Sequence, residues 1–135
     1  MIRKVFVVVA VVLVALALLT VSSCGHSQRL ESIILQPNSV TFLSPSTNIT
    51  FQLKAYGTYI HPPETKDITS QVKWQSLSTD LVLVSPTGVV STSQSGHCGI
   101  TDVSATAAAG GASGNVVIGS ATMTVVDTTN PVCPQ

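Results

Sequence analysis

Three thiols are the most reactive side chains in this chain of 135 residues: Cys24, Cys98 and Cys133. A thiol can act as nucleophile, metal ligand, disulfide partner or point of lipid attachment, and its surroundings decide which. The histidines His26, His61 and His97 are scattered, and no HxH, HExxH or CxxC spacing occurs. A metal centre needs several ligands brought together and held by supporting hydrogen bonds, so none is expected. His97 precedes Cys98 directly. In a strand such neighbours point to opposite faces, which leaves the imidazole badly placed to activate the thiol. The six carboxylates are spread along the chain, which disfavours a paired acid and base. No Gly-x-Ser-x-Gly elbow is present. Gly110–Gly114 reads "GGASG" and lacks the lysine of a phosphate loop. Asn48-Ile49-Thr50 matches the glycosylation triplet. No catalytic residue and no cofactor is expected.

Cys24 has the most telling neighbourhood. Arg3 and Lys4 precede an unbroken apolar run from Val5 to Leu19, and small residues follow. A basic start, an apolar core and small residues form an export signal. As a helix the core would rise ~22 Å, short of the ~30 Å of bilayer hydrocarbon. An uncleaved anchor is the rival reading. Val21-Ser22-Ser23-Cys24 resembles the lipobox of bacterial lipoproteins, in which a branched apolar residue and two small ones precede the cysteine. That resemblance implies cleavage before Cys24, a thioether-linked diacylglycerol on its sulfur and an acylated amino group. An ordinary signal peptide with a chance cysteine is the plainer alternative. Each buried CH₂ contributes ~0.8 kcal/mol, so one chain alone is marginal and two or three hold firmly. Gly25 stands where, by analogy with enteric bacteria, an aspartate favours inner-membrane retention. The implied address is the bacterial cell envelope, at the outer membrane or cell surface.

The segments expected are a helical signal peptide over 1–23, a short tether over 24–31, a folded domain over 32–127 and a C-terminal tail over 128–135. After cleavage Arg29, Lys54, Lys66 and Lys73 face six acidic residues. No basic patch remains for nucleic acid.

The domain reads as strands. "NITFQLKAYG" alternates Ile49, Phe51, Leu53 and Ala55 against polar partners, the period-two mark of a half-buried strand. "QVKWQS" places Val72 and Trp74 on one face, and "SATMTVV" does the same with Ala121, Met123 and Val125. Shorter β-rich pieces lie at 32–35, 39–43, 81–84 and 88–91, with Pro, Asn and Gly between them. Each strand has one apolar face, and two sheets must meet to bury those faces. The expectation is an all-β, immunoglobulin-like sandwich of seven to eight antiparallel strands. Its core would hold Phe51, Leu53, Val72, Trp74, Val103, Met123 and Val125.

"LQPNSVTF", "FQLKAYGTY", "DITSQVKWQS", "VSPTGVVS" and "ATMTVV" follow one another in the order of the group 2 bacterial immunoglobulin-like domains, the kind found in invasin- and intimin-type adhesins. Asp67, Thr69, Trp74, Ser76, Gly88 and Val89 carry the resemblance, which spans about Ser32 to Val126. The segment "GHCGITDV" is longer than the step usual in that family. The family occurs mainly in surface proteins as repeated arrays; here there is one copy.

An exported protein lives where disulfides persist, and lipidation of Cys24 leaves an even number of thiols. A reversal near Gly111–Ala112 would set Cys98 opposite about Val125, within reach of Cys133. A Cys98–Cys133 bridge is therefore expected, pinning the tail. Tyr56, Tyr59 and His61, close to Pro62-Pro63, form a candidate binding rim; a loop packed on the sandwich edge is the other reading. The functional expectation is a lipid-anchored module that binds a protein or a surface glycan in the envelope and adheres through it, with the membrane as its first partner. A carbohydrate-binding accessory to an envelope enzyme and a purely structural domain are the alternatives.

Overall fold

The computed structural model describes residues 28–44, 49–93, 97–110, 114–127 and 133. The signal segment, Cys24 and most of the C-terminal tail lie outside the described residues. No helix among those described is long and apolar enough to cross a membrane.

The described chain is all β. Ten strands follow in order: β1 (Arg29–Gln36), β2 (Ser39–Ser44), β3 (Thr50–Gln52), β4 (Lys54–Ile60), β5 (Glu64–Asp67), β6 (Lys73–Ser76), β7 (Val82–Val84), β8 (Val89–Thr92), β9 (Gly99–Ala108) and β10 (Val116–Asp127). One layer contains β1-β4-β5 together with β3-β8-β7; the other runs β2-β10-β9-β6. β3 and β4 are one strand interrupted at Leu53, whose N–H donates to the Gly88 carbonyl at 2.9 Å, the last bond toward β8 before the strand takes β1 and β5 as partners. Joined there, the layers reproduce the arrangement of immunoglobulin sandwiches, four strands against three plus a switched first strand. The strand count exceeds the seven to eight expected because of that interruption and because β5 adds a short rung against β4. One pairing is parallel. Pro37 and Asn38 carry the chain from β1 across to β2, which runs alongside the last strand from Ser39↔Thr122 to Ser44↔Asp127.

The core follows the period-two pattern. Leu53, Val72, Trp74, Val103, Met123 and Val125 are buried, together with Leu35, Phe42, Ala55, Ile68, Val82 and Val90. Phe51 is not part of that interior: it is 37% exposed. It has the same parity as Leu53, and its ring meets the buried Phe42 of β2 edge-on at 5.3 Å at the margin of the core. It caps the core instead of filling it.

The tether is shorter than the sequence suggests. β1 begins at Arg29, so residues 29–31 belong to the sheet. Leu30 is buried, and its N–H donates to the Ala109 carbonyl at 2.8 Å. A register shift between Leu30 and Ser32 makes this possible, because it brings both Leu30 and Ile33 inward from positions three apart.

β1 closes the sandwich by lying close over β10. A Cβ on Gly119 would fall 2.5 Å from the Ile33 oxygen and 3.0 Å from its carbonyl carbon. Those are backbone atoms and cannot swing away. Gly119→Ala is therefore expected to cost about 1–3 kcal/mol by overpacking and to speed hydrogen exchange at the β1 amides. Unchanged protection of Ile33 to Leu35 would show that the two strands are not in close contact.

Candidate functional site

Asp67, Thr69 and Gly88 are arranged around the indole of Trp74. Asp67 and Thr69 form the turn after β5. The Thr69 amide donates to Asp67 Oδ1 at 3.0 Å, and the Thr69 hydroxyl donates to the same oxygen at 2.6 Å. That hydroxyl also accepts from the Ala55 amide at 3.0 Å, while the Ile68 amide donates to the Ala55 carbonyl. The turn is thus stitched to β4. Its Thr69 carbonyl then accepts from Trp74 Nε1 at 3.0 Å, which satisfies the one polar atom of a buried indole. On the other side Gly88 has φ +82°. A Cβ there would lie 2.8 Å from both the Leu53 oxygen and the indole ring, so only glycine fits the turn and its contact with the ring. These hydrogen bonds tie the turn after β5 to β4 and to the indole, so the cluster positions strands.

The Thr69 hydroxyl, and after it the Thr69 amide, hold the Asp67 carboxyl below its ordinary range. Lys66 and Gln28 do the same for Glu64 through side-chain hydrogen bonds. A carboxyl whose folded value is depressed contributes stability above its unfolded value and loses that contribution as pH falls through the folded one. Stability is thus expected to decline as pH drops below the ordinary range of carboxylates, around pH 4. Asp67→Asn should flatten that decline in thermal melts taken across acid pH. An acid limb identical to the parent's would remove Asp67 from the account.

The expected binding rim is not assembled. Tyr56 and Tyr59 fall on opposite faces of β4, because they are three residues apart in a regular strand. Tyr56 faces outward beside Ile34, its partner across β1. Tyr59 packs against the core, and Lys66 Nζ lies 5.4 Å from its ring centre. His61 occupies the turn beyond with φ 61°. The three do not share a surface. Among the described residues, no three His, Cys, Asp or Glu side chains gather as metal ligands.

Cys98 and Cys133 form a disulfide, their Cα atoms 5.6 Å apart. The hairpin register sets Gly99 opposite Val125, one residue from the alignment expected for Cys98. Cys133 is buried. The bridge therefore binds the tail to the entry of β9.

Exposed apolar residues lie at both ends of the sandwich, Val116 and Ile118 at one and a larger group at the other, and the sequence reading missed them. Pairing registers place Arg29, Ile60, Ala108 and Val116 at one end of the sandwich, the end where the N-terminal segment enters. Leu43, Ile49, Phe51, Leu77 and Ile100 belong to the other end. Leu77, Ile100 and Leu43 are 68%, 63% and 57% exposed. All three lie on the β2-β10-β9-β6 layer or at its margin, bordering Val126 and Asp102. The signal was present in the strands. Leu43 and Ile100 break the alternation of their own segments, apolar where the pattern calls for polar. No protein-family model matches the chain, and no curated protein matches it.

Proposed function

We propose that this chain is a bacterial lipoprotein, anchored through Cys24, whose single group 2 immunoglobulin-like domain is a binding module of the cell envelope. Its partner is a protein. The observation that carries the reading is the gathering of exposed Leu and Ile side chains at the end of the sandwich opposite the tether. An aliphatic patch of this kind, bordered by polar strand residues, is the ordinary material of a protein contact. A sugar platform uses coplanar aromatics, and Tyr56 and Tyr59 lie on opposite faces. The role is recognition without catalysis, in keeping with carboxylates and histidines dispersed over separate elements.

Two measurements test this. Cys24→Ala should move the protein from the membrane fraction to the soluble exported fraction; a variant that partitions like the parent counts against the lipid anchor. Cross-linking in intact cells should then recover a neighbouring protein with the parent chain, and Ile100→Asp with Leu77→Asp should abolish that capture while leaving the melting temperature near the parent's. Equal capture by the double variant would remove the far end as the contact surface.

A further inference from the structure

We infer that the tethered end of the sandwich is itself a binding surface, and that it seats on the phospholipid headgroups of the bilayer to which Cys24 is anchored. The inference rests on the lipoprotein reading, and three observations at one end of the molecule converge on it. The first is reach. Four residues lie between Cys24 and Arg29, the first residue of β1, and the five steps from one to the other span at most about 18 Å at full extension. In the lipidated chain the end of the sandwich carrying Arg29 is thus held within about 18 Å of the anchored residue, near enough to rest on the headgroups.

The second is charge. Arg29 and Lys73 stand at this end by register, opposite Ile60 and Thr106. Lys66 reaches toward it, its Nζ donating to Gln28 Oε1 at 2.9 Å and ion-paired with Glu64 at 3.0 Å. With that pair neutralised, Arg29 and Lys73 face Glu31 alone. Among the described residues, the far end holds Asp102, Asp127 and, in the turn between β6 and β7, Asp80, with no lysine or arginine. Lys54 and Asp67 fall between them. The domain is therefore electrically polar, with its positive pole toward the tether. A basic pole is drawn to a leaflet rich in anionic lipid, and its acidic pole is pushed away from it.

The third is shape. A cleft of about 390 Å³ opens between the starts of β1 and β10, lined by Arg29, Glu31, Ile60, Asn115 and Val116 among others. Arg29 is exposed at its mouth. A guanidinium is suited to a phosphodiester because its donors can engage two oxygens at once. Val116 and Ile118 are exposed beside the cleft, at positions able to rest among the glycerol and upper acyl groups. Exposed apolar side chains next to cations are what an interfacial surface needs.

The test uses the full chain, purified in lipidated form and reconstituted into vesicles of phosphatidylethanolamine and phosphatidylglycerol. One nitroxide label is placed at Asn115→Cys, beside the cleft, and another at Thr41→Cys on β2, toward the far end. Access of a water-soluble nickel relaxant to each label is compared. The label at 115 should be shielded relative to that at 41. Arg29→Glu and, separately, Lys73→Glu should each weaken shielding by about fivefold in the docked-to-undocked ratio, and salt should do the same. Vesicles of phosphatidylcholine alone should shield less. A chain that floats with vesicles while both labels are equally accessible overturns the inference and leaves the anchor standing. A chain that does not float with vesicles overturns both.

Discussion

Replacing Trp74 by alanine lowers the stability of the folded domain by about 3–5 kcal/mol, the usual range for deleting a large buried aromatic side chain. Ordinary domains have only about 5–15 kcal/mol in hand, so the variant is expected to unfold at a much lower urea midpoint. The loss has sources that can be separated. The indole fills the space between the turn after β5 and the turn before β8, where Gly88 approaches it too closely for any other residue. Its Nε1 donates to the Thr69 carbonyl, and that carbonyl is left without this donor once the ring is gone. Trp74→Phe keeps an aromatic in place and removes the donor, so it should fall between parent and alanine variant. A loss below about 1 kcal/mol on Trp74→Ala would be the size of a surface change and would mean that the indole does not organise the two turns.

The second large effect belongs to the disulfide. Cys98 and Cys133 are 35 residues apart, and closing a loop of that length restricts the unfolded chain by about 4 kcal/mol in the chain-entropy model. The paired substitution Cys98→Ser with Cys133→Ser should lower stability by up to about that amount. The parent protein treated with reductant should fall to the same urea midpoint as the paired variant. A parent whose midpoint is indifferent to reductant would show that the tail adds nothing to the fold. Joining Cys133 to the entry of β9 also keeps Cys133 beside the far pole, next to the start of the strand that carries Ile100.

Much of this architecture was legible in the residues because the sandwich obeys one simple rule. Alternation put Leu53, Val72, Trp74, Met123 and Val125 on inward faces, and the structure buries them. The disulfide was legible for a similar reason: the expected export signal implies an oxidising setting, and hairpin arithmetic brings Cys98 near the end of the last strand. Phe51 was misjudged because parity says which way a side chain points, not how completely its neighbours cover it. The start of the domain was misjudged at Leu30, where a register shift breaks the alternation that had marked Ser32 as the first strand residue. The rim of Tyr56, Tyr59 and His61 failed on parity itself, since residues three apart in a strand cannot share a face. The far apolar end depends on which strand ends lie together, and that is a property of topology. Its local trace, apolar residues out of phase at Leu43 and Ile100, acquires meaning only once the sheets are placed.

The placement of β1 and β2 has a mechanical consequence. The chain enters at one pole, and its first two strands run toward the other, β1 bonded to β4 and β2 to β10. Inter-strand hydrogen bonds lie across the strand direction. A tensile load applied between the N-terminus and the far pole therefore acts on these pairs in shear, and their bonds must rupture together instead of peeling apart singly. Such a domain is built to carry force along its long axis, and a pulling experiment should find it much stronger in that direction than when β2 is drawn sideways from its neighbour.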